Sequence, residues 1–240
     1  MSDHLDLSTL DPSGDIRTVA YDAGAFDDAG LARREVLRRG AAAGGGLILG
    51  AGLFQTMLSP AEAAISKSKK SKTNDIKILQ YALTLEYLEA AFYAQGIANK
   101  AFKSDLYKRF AEVTGAHEAD HVGFLQKALG KKAQKAPEVA FGDAVINPDK
   151  FAATAEVLED TGVAAYAGQV GNVFQKTVLA AAASVHSVEA RHAAWIRFLN
   201  HGGTPALPDA QLPAPLAFDA PLSEKKVLSA VKATGFVPGL

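Results

Sequence analysis

Two halves of the chain carry the same charged and aromatic residues at nearly the same spacing. Each half has a Glu–Tyr pair on one segment and a Glu-x-x-His motif on the next: Glu86, Tyr93 and 118–121, then Glu159, Tyr166 and 189–192. Each Tyr follows its Glu by seven residues, and the two Glu of a half are 32 residues apart in the first half and 30 in the second. This correspondence indicates an internal duplication, so the fold must bring two equivalent halves together.

Apolar residues recur every three or four positions along the segments that carry these motifs, which is the pattern of amphipathic helices. Four long helices and one short one are predicted: about Thr73 to Asn99, Ser104 to Gly130, Asn147 to Val170, Phe174 to Asn200, and Ser223 to Ala233. Ser104 and Asn147 are typical N-caps, and Gly130 is a typical helix stop. No alternation of apolar and polar residues indicates a sheet, so the predicted fold class is all-α.

The connection between the second and third helices is long enough to distinguish two topologies. Its 17 residues, Lys131 to Asn147, can span ~56–60 Å when extended. A helix of about 26 residues is only ~39 Å long, so the connection can run the full length of a bundle. We therefore predict an antiparallel four-helix bundle, built from two hairpins and a long crossover between helices two and three.

The repeated motifs provide carboxylates and imidazoles in a metal-binding arrangement. Residues i and i+3 lie ~60° apart around a helix and ~4.5 Å apart along it, so the Glu and His of each motif share one face. The chain has no Cys, so a metal must be bound by His, carboxylate and water. Six side chains from four helices can converge at the bundle centre, in the manner of di-iron and di-manganese carboxylate bundles: Glu86, Glu118, His121, Glu159, Glu189 and His192.

With these six positions the chain resembles the ferritin-like di-iron superfamily over about residues 75–200. Within it, the chain is similar to bacterial ferritin-like domain proteins related to desiccation-associated proteins. The resemblance implies a ferritin-like bundle that binds two Fe ions, or two Mn ions, and reacts with O2 or H2O2 as a ferroxidase or peroxidase. It implies bridging or chelating catalytic roles for Glu118 and Glu189, with one His for each metal. The resemblance is compatible with a homo-oligomer, and no cage-forming feature is recognised in the sequence.

Several neighbouring residues leave the ligand assignment open. Glu89 and Glu156 each lie one helical turn from a predicted ligand and are rivals to Glu86 and Glu159. The equal offset to Tyr favours Glu86 and Glu159. His186 precedes Glu189 by three residues, so it is either an extra ligand or an interior polar residue. The two tyrosines of the repeat are predicted core aromatics whose hydroxyls can reach the site.

Two other functions compete with a dinuclear metal site. The stretch His117-Glu118-Ala-Asp-His121 matches the H-E-x-x-H motif of zinc metallohydrolases, in which both imidazoles bind one zinc ion. Phe124 and Lys127 stand where the extended form of that motif needs Gly and His, and no strand is predicted to bind a peptide. The other alternative is a structural or desiccation-protective helical bundle without catalysis.

The amino-terminal region has the charge order of an export signal. Residues 1–32 hold seven Asp against one Arg, as in an acidic leader, and Arg33 to Arg38 resemble the twin-arginine export motif. An uncharged segment from Gly40 to Leu58 follows, and Ala61 and Ala63 suit cleavage after residue 63. A retained membrane anchor is the alternative, and it would be the chain's only membrane contact.

Three regions are therefore predicted: the leader and signal in 1–63, the bundle in 64–203, and a Pro-rich tail in 204–240. The predicted localisation is the periplasm or cell envelope, reached by the twin-arginine route. The formal net charge of −1 gives no electrostatic basis for nucleic-acid binding.

Overall fold

The computed structural model describes residues 65–66, 69–202 and 208–239, so the leader and signal predicted for 1–63 lie outside the described residues. Five α-helices are present: α1 (Lys72–Asn99), α2 (Asp105–Leu129), α3 (Pro148–Gln169), α4 (Lys176–His201) and α5 (Glu224–Thr234). No strand occurs among these described residues, and the predicted all-α class is confirmed.

Side-chain caps define three of the five helix starts, whereas Ser104 stands at the N-cap of α2 without a capping hydrogen bond from its side chain. The side chain of Asn147 accepts hydrogen bonds from the backbone N–H groups of Asp149 and Lys150, with Pro148 in the first turn of α3. Ser71 and Ser223 cap α1 and α5 in the same way. Such caps satisfy amide groups that have no partner inside the helix, so they stabilise helix starts at defined residues.

Hydrogen bonds at the two ends of α1 establish the crossover between α2 and α3. Near the start of α1, the Gln80 side chain donates to the carbonyl of Lys132, just after α2. At the end of α1, the Asn99 side chain donates to the carbonyl of Val145, just before α3. The connection therefore runs the length of the bundle, as its length predicts.

Aromatic packing joins α1 to α3 in the largest core cluster. Phe92 stacks on Phe151 with ring centroids 4.8 Å apart and an interplanar angle of 5°. Gly96 makes this approach possible, since a Cβ atom at that position would lie 2.2 Å from Cε2 of Phe151. Both rings are fully buried.

The carboxy-terminal tail packs along α3. The Leu222 backbone N–H donates to the carbonyl of Ala164, one turn before Gly168. A Cβ atom at Gly168 would lie only 1.8 Å from the carbonyl oxygen of Leu222. Val227 and Val231 of α5 complete this contact in the buried core.

Charged side chains, not only apolar ones, fill the interior of the bundle. Glu86, Glu118, Glu159 and Glu189 have no exposed surface, although carboxylates are rarely buried without partners. Among the helices that the structure describes, none is both long enough and apolar enough to cross a bilayer.

Candidate metal centre

The six side chains predicted as ligands lie together inside the bundle, in two overlapping groups. One group takes its ligand atoms from Glu86, Glu118, His121 and Glu189, and the other from Glu118, Glu159, Glu189 and His192. Within each group these atoms lie within 4.8 Å of one another. The four helices each contribute, and only the two Glu of the Glu-x-x-His motifs belong to both groups.

The carboxylates of Glu118 and Glu189 span the two groups. Oε1 of Glu118 lies 3.1 Å from Nδ1 of His192, and its Oε2 lies 3.4 Å from Nδ1 of His121. Glu189 has the complementary arrangement, with Oε1 3.1 Å from His121 Nδ1 and Oε2 3.8 Å from His192 Nδ1. Each of these two carboxylates thus presents one oxygen to each group.

The other two carboxylates each serve one group and are held by a tyrosine from the opposite hairpin. Oε2 of Glu86 lies 3.2 Å from His121 Nδ1, and its Oε1 accepts a 2.5 Å hydrogen bond from the Tyr166 hydroxyl. In the other half, Oε1 of Glu159 accepts from the Tyr93 hydroxyl, and its Oε2 lies 3.3 Å from the second imidazole. Both tyrosine hydroxyls therefore reach the cluster, as expected.

Five buried polar atoms of the cluster have no hydrogen-bond partner among the described residues: Glu118 Oε1, Glu159 Oε2, both oxygens of Glu189, and His192 Nδ1. Several lie within ion-pair distance of one another, but their directions do not suit hydrogen bonds. An unsatisfied buried group costs about 1–3 kcal/mol, so such a concentration requires an explanation. Atoms that each bind an ion at ~2.1 Å in an octahedral shell would be ~3–4 Å apart. Carboxylate and imidazole atoms at these distances suit divalent metal ions, whose positive charges the carboxylates would offset.

The buried charges strongly perturb one another in the metal-free protein. Burial would lower the pKa of His192, but its contacts with Glu118, Glu159 and Glu189 raise that pKa to about 12. The pKa of His121 is likewise raised by carboxylates, against the effect of burial. Burial and the Glu189 charge hold the pKa of Glu118 well above its usual value. Protonated imidazoles therefore act as the cations of the cluster when no metal is bound.

Glu89 is a fifth buried carboxyl group beside the cluster, and it belongs to neither group of ligand atoms. Its equivalent in the other half is Gly162, where a Cβ atom would lie 3.2 Å from Oε1 of Glu89 and 3.3 Å from Oε2 of Glu189. Burial, followed by the charge of Glu189, raises its pKa well above normal, which favours the neutral acid. Sequence analysis identifies Glu89 as a rival ligand. It does not predict that Glu89 is a neutral acid packed into the space beside Gly162.

The remaining rivals lie outside the cluster. Glu156 contacts Arg197, Asn200 and His201 at the end of α4, where these partners hold its pKa below normal against the effect of burial. His186 also belongs to neither group, and its buried Nδ1 has no hydrogen-bond partner among the described residues.

His117 contacts the cluster from outside. Its Nδ1 lies 2.8 Å from Nε2 of His192, the ring nitrogen that faces away from the carboxylates, and the two rings meet edge to edge with centroids 5.1 Å apart. His117 belongs to neither group of ligand atoms. The zinc metallohydrolase interpretation requires both His117 and His121 to bind the same ion. The two residues do not share a group of ligand atoms, so the structure does not support that interpretation.

Comparison with known proteins gives one family match. A family model described as a ferritin-like domain matches residues 74–201, which is more than half of the 240 residues. No curated protein matches the chain. The matched range begins in α1 and ends in α4, so it contains every residue of the cluster.

Proposed function

The chain belongs to the ferritin-like domain family, and on this basis we propose that it binds two Fe or Mn ions and oxidises Fe(II) with O2 or H2O2. The observation that carries the proposal is the placement of Glu118 and Glu189, each with one oxygen toward each group of ligand atoms. Two ions that share carboxylates are the arrangement this geometry favours. Oxygen and imidazole ligands suit iron and manganese.

Two Fe(II) ions would supply the electrons for the reaction. They give two electrons, which with two protons reduce one H2O2 to two waters or one O2 to one H2O2, leaving two Fe(III). The side chains of the cluster would hold the ions, and the burial of all four carboxylates would exclude water from them. Tyr93 and Tyr166 orient the two outer carboxylates through hydrogen bonds.

The test is anaerobic addition of Fe(II) followed by oxygen or peroxide. The unaltered protein should develop the near-ultraviolet absorption of Fe(III) with two ions bound, and Glu118→Ala and Glu189→Ala should not. Glu138→Ala is the matched control, because Glu138 is an exposed carboxylate far along the crossover connection. Stoichiometric binding without oxidation would refute the oxidase, and absence of stoichiometric metal would favour a structural or desiccation-protective bundle.

We also propose that the protein acts outside the cytoplasm, where it would limit peroxide and free iron under stress. The support is Arg33-Arg34 ahead of an uncharged segment, with Ala61 and Ala63 at the cleavage position. Fractionation of cells should find the shortened protein in the periplasm or envelope. Replacing both Arg33 and Arg34 by Lys should leave the full-length chain in the cytoplasm; unchanged export would contradict the twin-arginine route.

A further inference from the structure

The internal duplication is broken at a position that touches the cluster. His117 immediately precedes Glu118, and the equivalent residue before Glu189 is Val188. His117 is exposed, yet its Nδ1 contacts His192. A valine side chain cannot form a hydrogen bond, so the residue equivalent to His117 offers His121 none.

The two nitrogens of the His192 ring face different partners. Its Nδ1 faces Glu118 and Glu159 at 3.1 and 3.3 Å, so Nδ1 is the atom available to an ion. A neutral imidazole that binds through Nδ1 keeps its proton on Nε2. That proton then lies on the atom 2.8 Å from Nδ1 of His117.

His117 is suited to accept this proton in a hydrogen bond. A neutral imidazole carries one proton, so one of its two ring nitrogens is free to accept a hydrogen bond. With that proton on Nε2, the Nδ1 lone pair faces His192. The two ring planes lie 18° from parallel, so the hydrogen bond lies nearly in the plane of both rings.

We propose that His117 is a positioning residue that makes the two metal positions unequal, so that the ion beside His192 binds more tightly than the ion beside His121. Outer hydrogen-bond partners of ligating histidines orient the ring and raise its basicity, and their loss typically costs about 10–100-fold in metal affinity. The inference rests on the proposed binding of two ions but not on the oxidation reaction.

Titration of the metal-free protein with Co(II), followed by calorimetry and visible absorption, tests the proposal. The unaltered protein should bind two ions in separate steps. His117→Val, which copies the other half of the duplication, should weaken the tighter step by about 10–100-fold and leave the weaker step in place. His117→Asn keeps an acceptor oxygen and should restore part of the separation.

Two further measurements separate positioning from a general loss of structure. The Nε2 proton of Co(II)-bound His192 should give a slowly exchanging, paramagnetically shifted proton signal, which His117→Val should lose and His117→Asn should keep. Val188→Leu is the control for a change at the equivalent position and should leave both steps unchanged. Two binding steps that are unaltered in folded His117→Val would overturn this proposal alone, whereas failure of the unaltered protein to bind Co(II) would overturn the proposed metal centre with it.

Discussion

Replacing Glu118 should remove both metal ions, whereas replacing Glu159 should remove only one. The two oxygens of Glu118 face different groups of ligand atoms, but only one oxygen of Glu159 faces an imidazole, that of His192. A Glu→Gln change keeps the size and removes one negative charge. At ~4 Å and an effective dielectric constant of about 20, one carboxylate charge contributes about 4 kcal/mol for each unit of ion charge, or about 8 kcal/mol for a divalent ion. The Gln oxygen stays as a ligand and offsets part of this loss, and half of it still corresponds to about a thousandfold loss in affinity.

Equilibrium dialysis against Mn(II), followed by metal analysis of the protein, measures this difference. Measured over a range of free Mn(II) concentrations, a thousandfold loss raises the half-saturation concentration of an affected position about a thousandfold. The unaltered protein should bind two ions, Glu159→Gln should show this shift for one of them, and Glu118→Gln should show it for both. Glu138→Gln, at an exposed position, should hold two. If Glu118→Gln and Glu159→Gln lost the same number of ions while remaining folded, the inferred bridging role of Glu118 would be wrong.

Three further predictions concern protons, an outer hydrogen bond and the tail. Metal uptake at pH 7 should release protons, because His192 keeps its proton up to a pKa of about 12 in the metal-free protein and must lose it from Nδ1 to bind. Apparent affinity should therefore fall as pH is lowered, and calorimetry in buffers of different ionisation enthalpy checks the proton count. Tyr93→Phe removes the hydrogen bond to a buried carboxylate and should lower the free energy of unfolding by about 1.5–3 kcal/mol in urea titrations; no change would refute this role of the hydroxyl. Gly168→Ala should displace Leu222 and destabilise the fold by about 1–3 kcal/mol. Gly123→Ala is the control, because no atom lies within 4 Å of the added Cβ, and it should stabilise α2 by about 0.5–1 kcal/mol.

The sequence predicts the helices well because their signals are local. The N-cap at Asn147 and the helix period depend on neighbours a few residues apart, and α3 begins at Pro148 as expected. The crossover is also predictable, because chain length alone limits what 17 residues can span. The duplication makes the site residues predictable as well, because equal spacing in two hairpins requires equivalent positions in space.

The contacts around the cluster are not predictable in the same way, because they depend on how the helices are rotated against each other. Helical spacing places His117 ~40° from His121 around α2 and ~6 Å from it along the helix axis, which indicates only that the two side chains lie on the same side of α2. Whether His117 meets solvent or a ligand depends on the distance from α2 to α4 and on the ring orientation of His192. The choice between Glu86 and Glu89 likewise depends on the space that Gly162 leaves on α3.

Three of the positions at which the two halves differ adjoin the cluster or its tyrosines. A Cβ atom at Gly115 would lie 2.8 Å from Cβ of Tyr93, so glycine there allows Tyr93 to pack against α2 and become fully buried. The equivalent residue on α4 is His186, and Tyr166 is only half-buried.

The other two differences replace Glu89 by Gly162 and His117 by Val188. Each of these three differences adds a polar group to one half only, while the six ligand positions keep the same residues in both halves. A protein that only had to bind two metal ions in equivalent positions would gain nothing from these extra polar groups. A buried acid such as Glu89 costs stability unless its polar atoms have partners. If the cluster binds two ions as proposed, we infer from this asymmetry that the two positions have different tasks, with a hydrogen bond between His117 and the imidazole on the His192 side and none from Val188 on the His121 side.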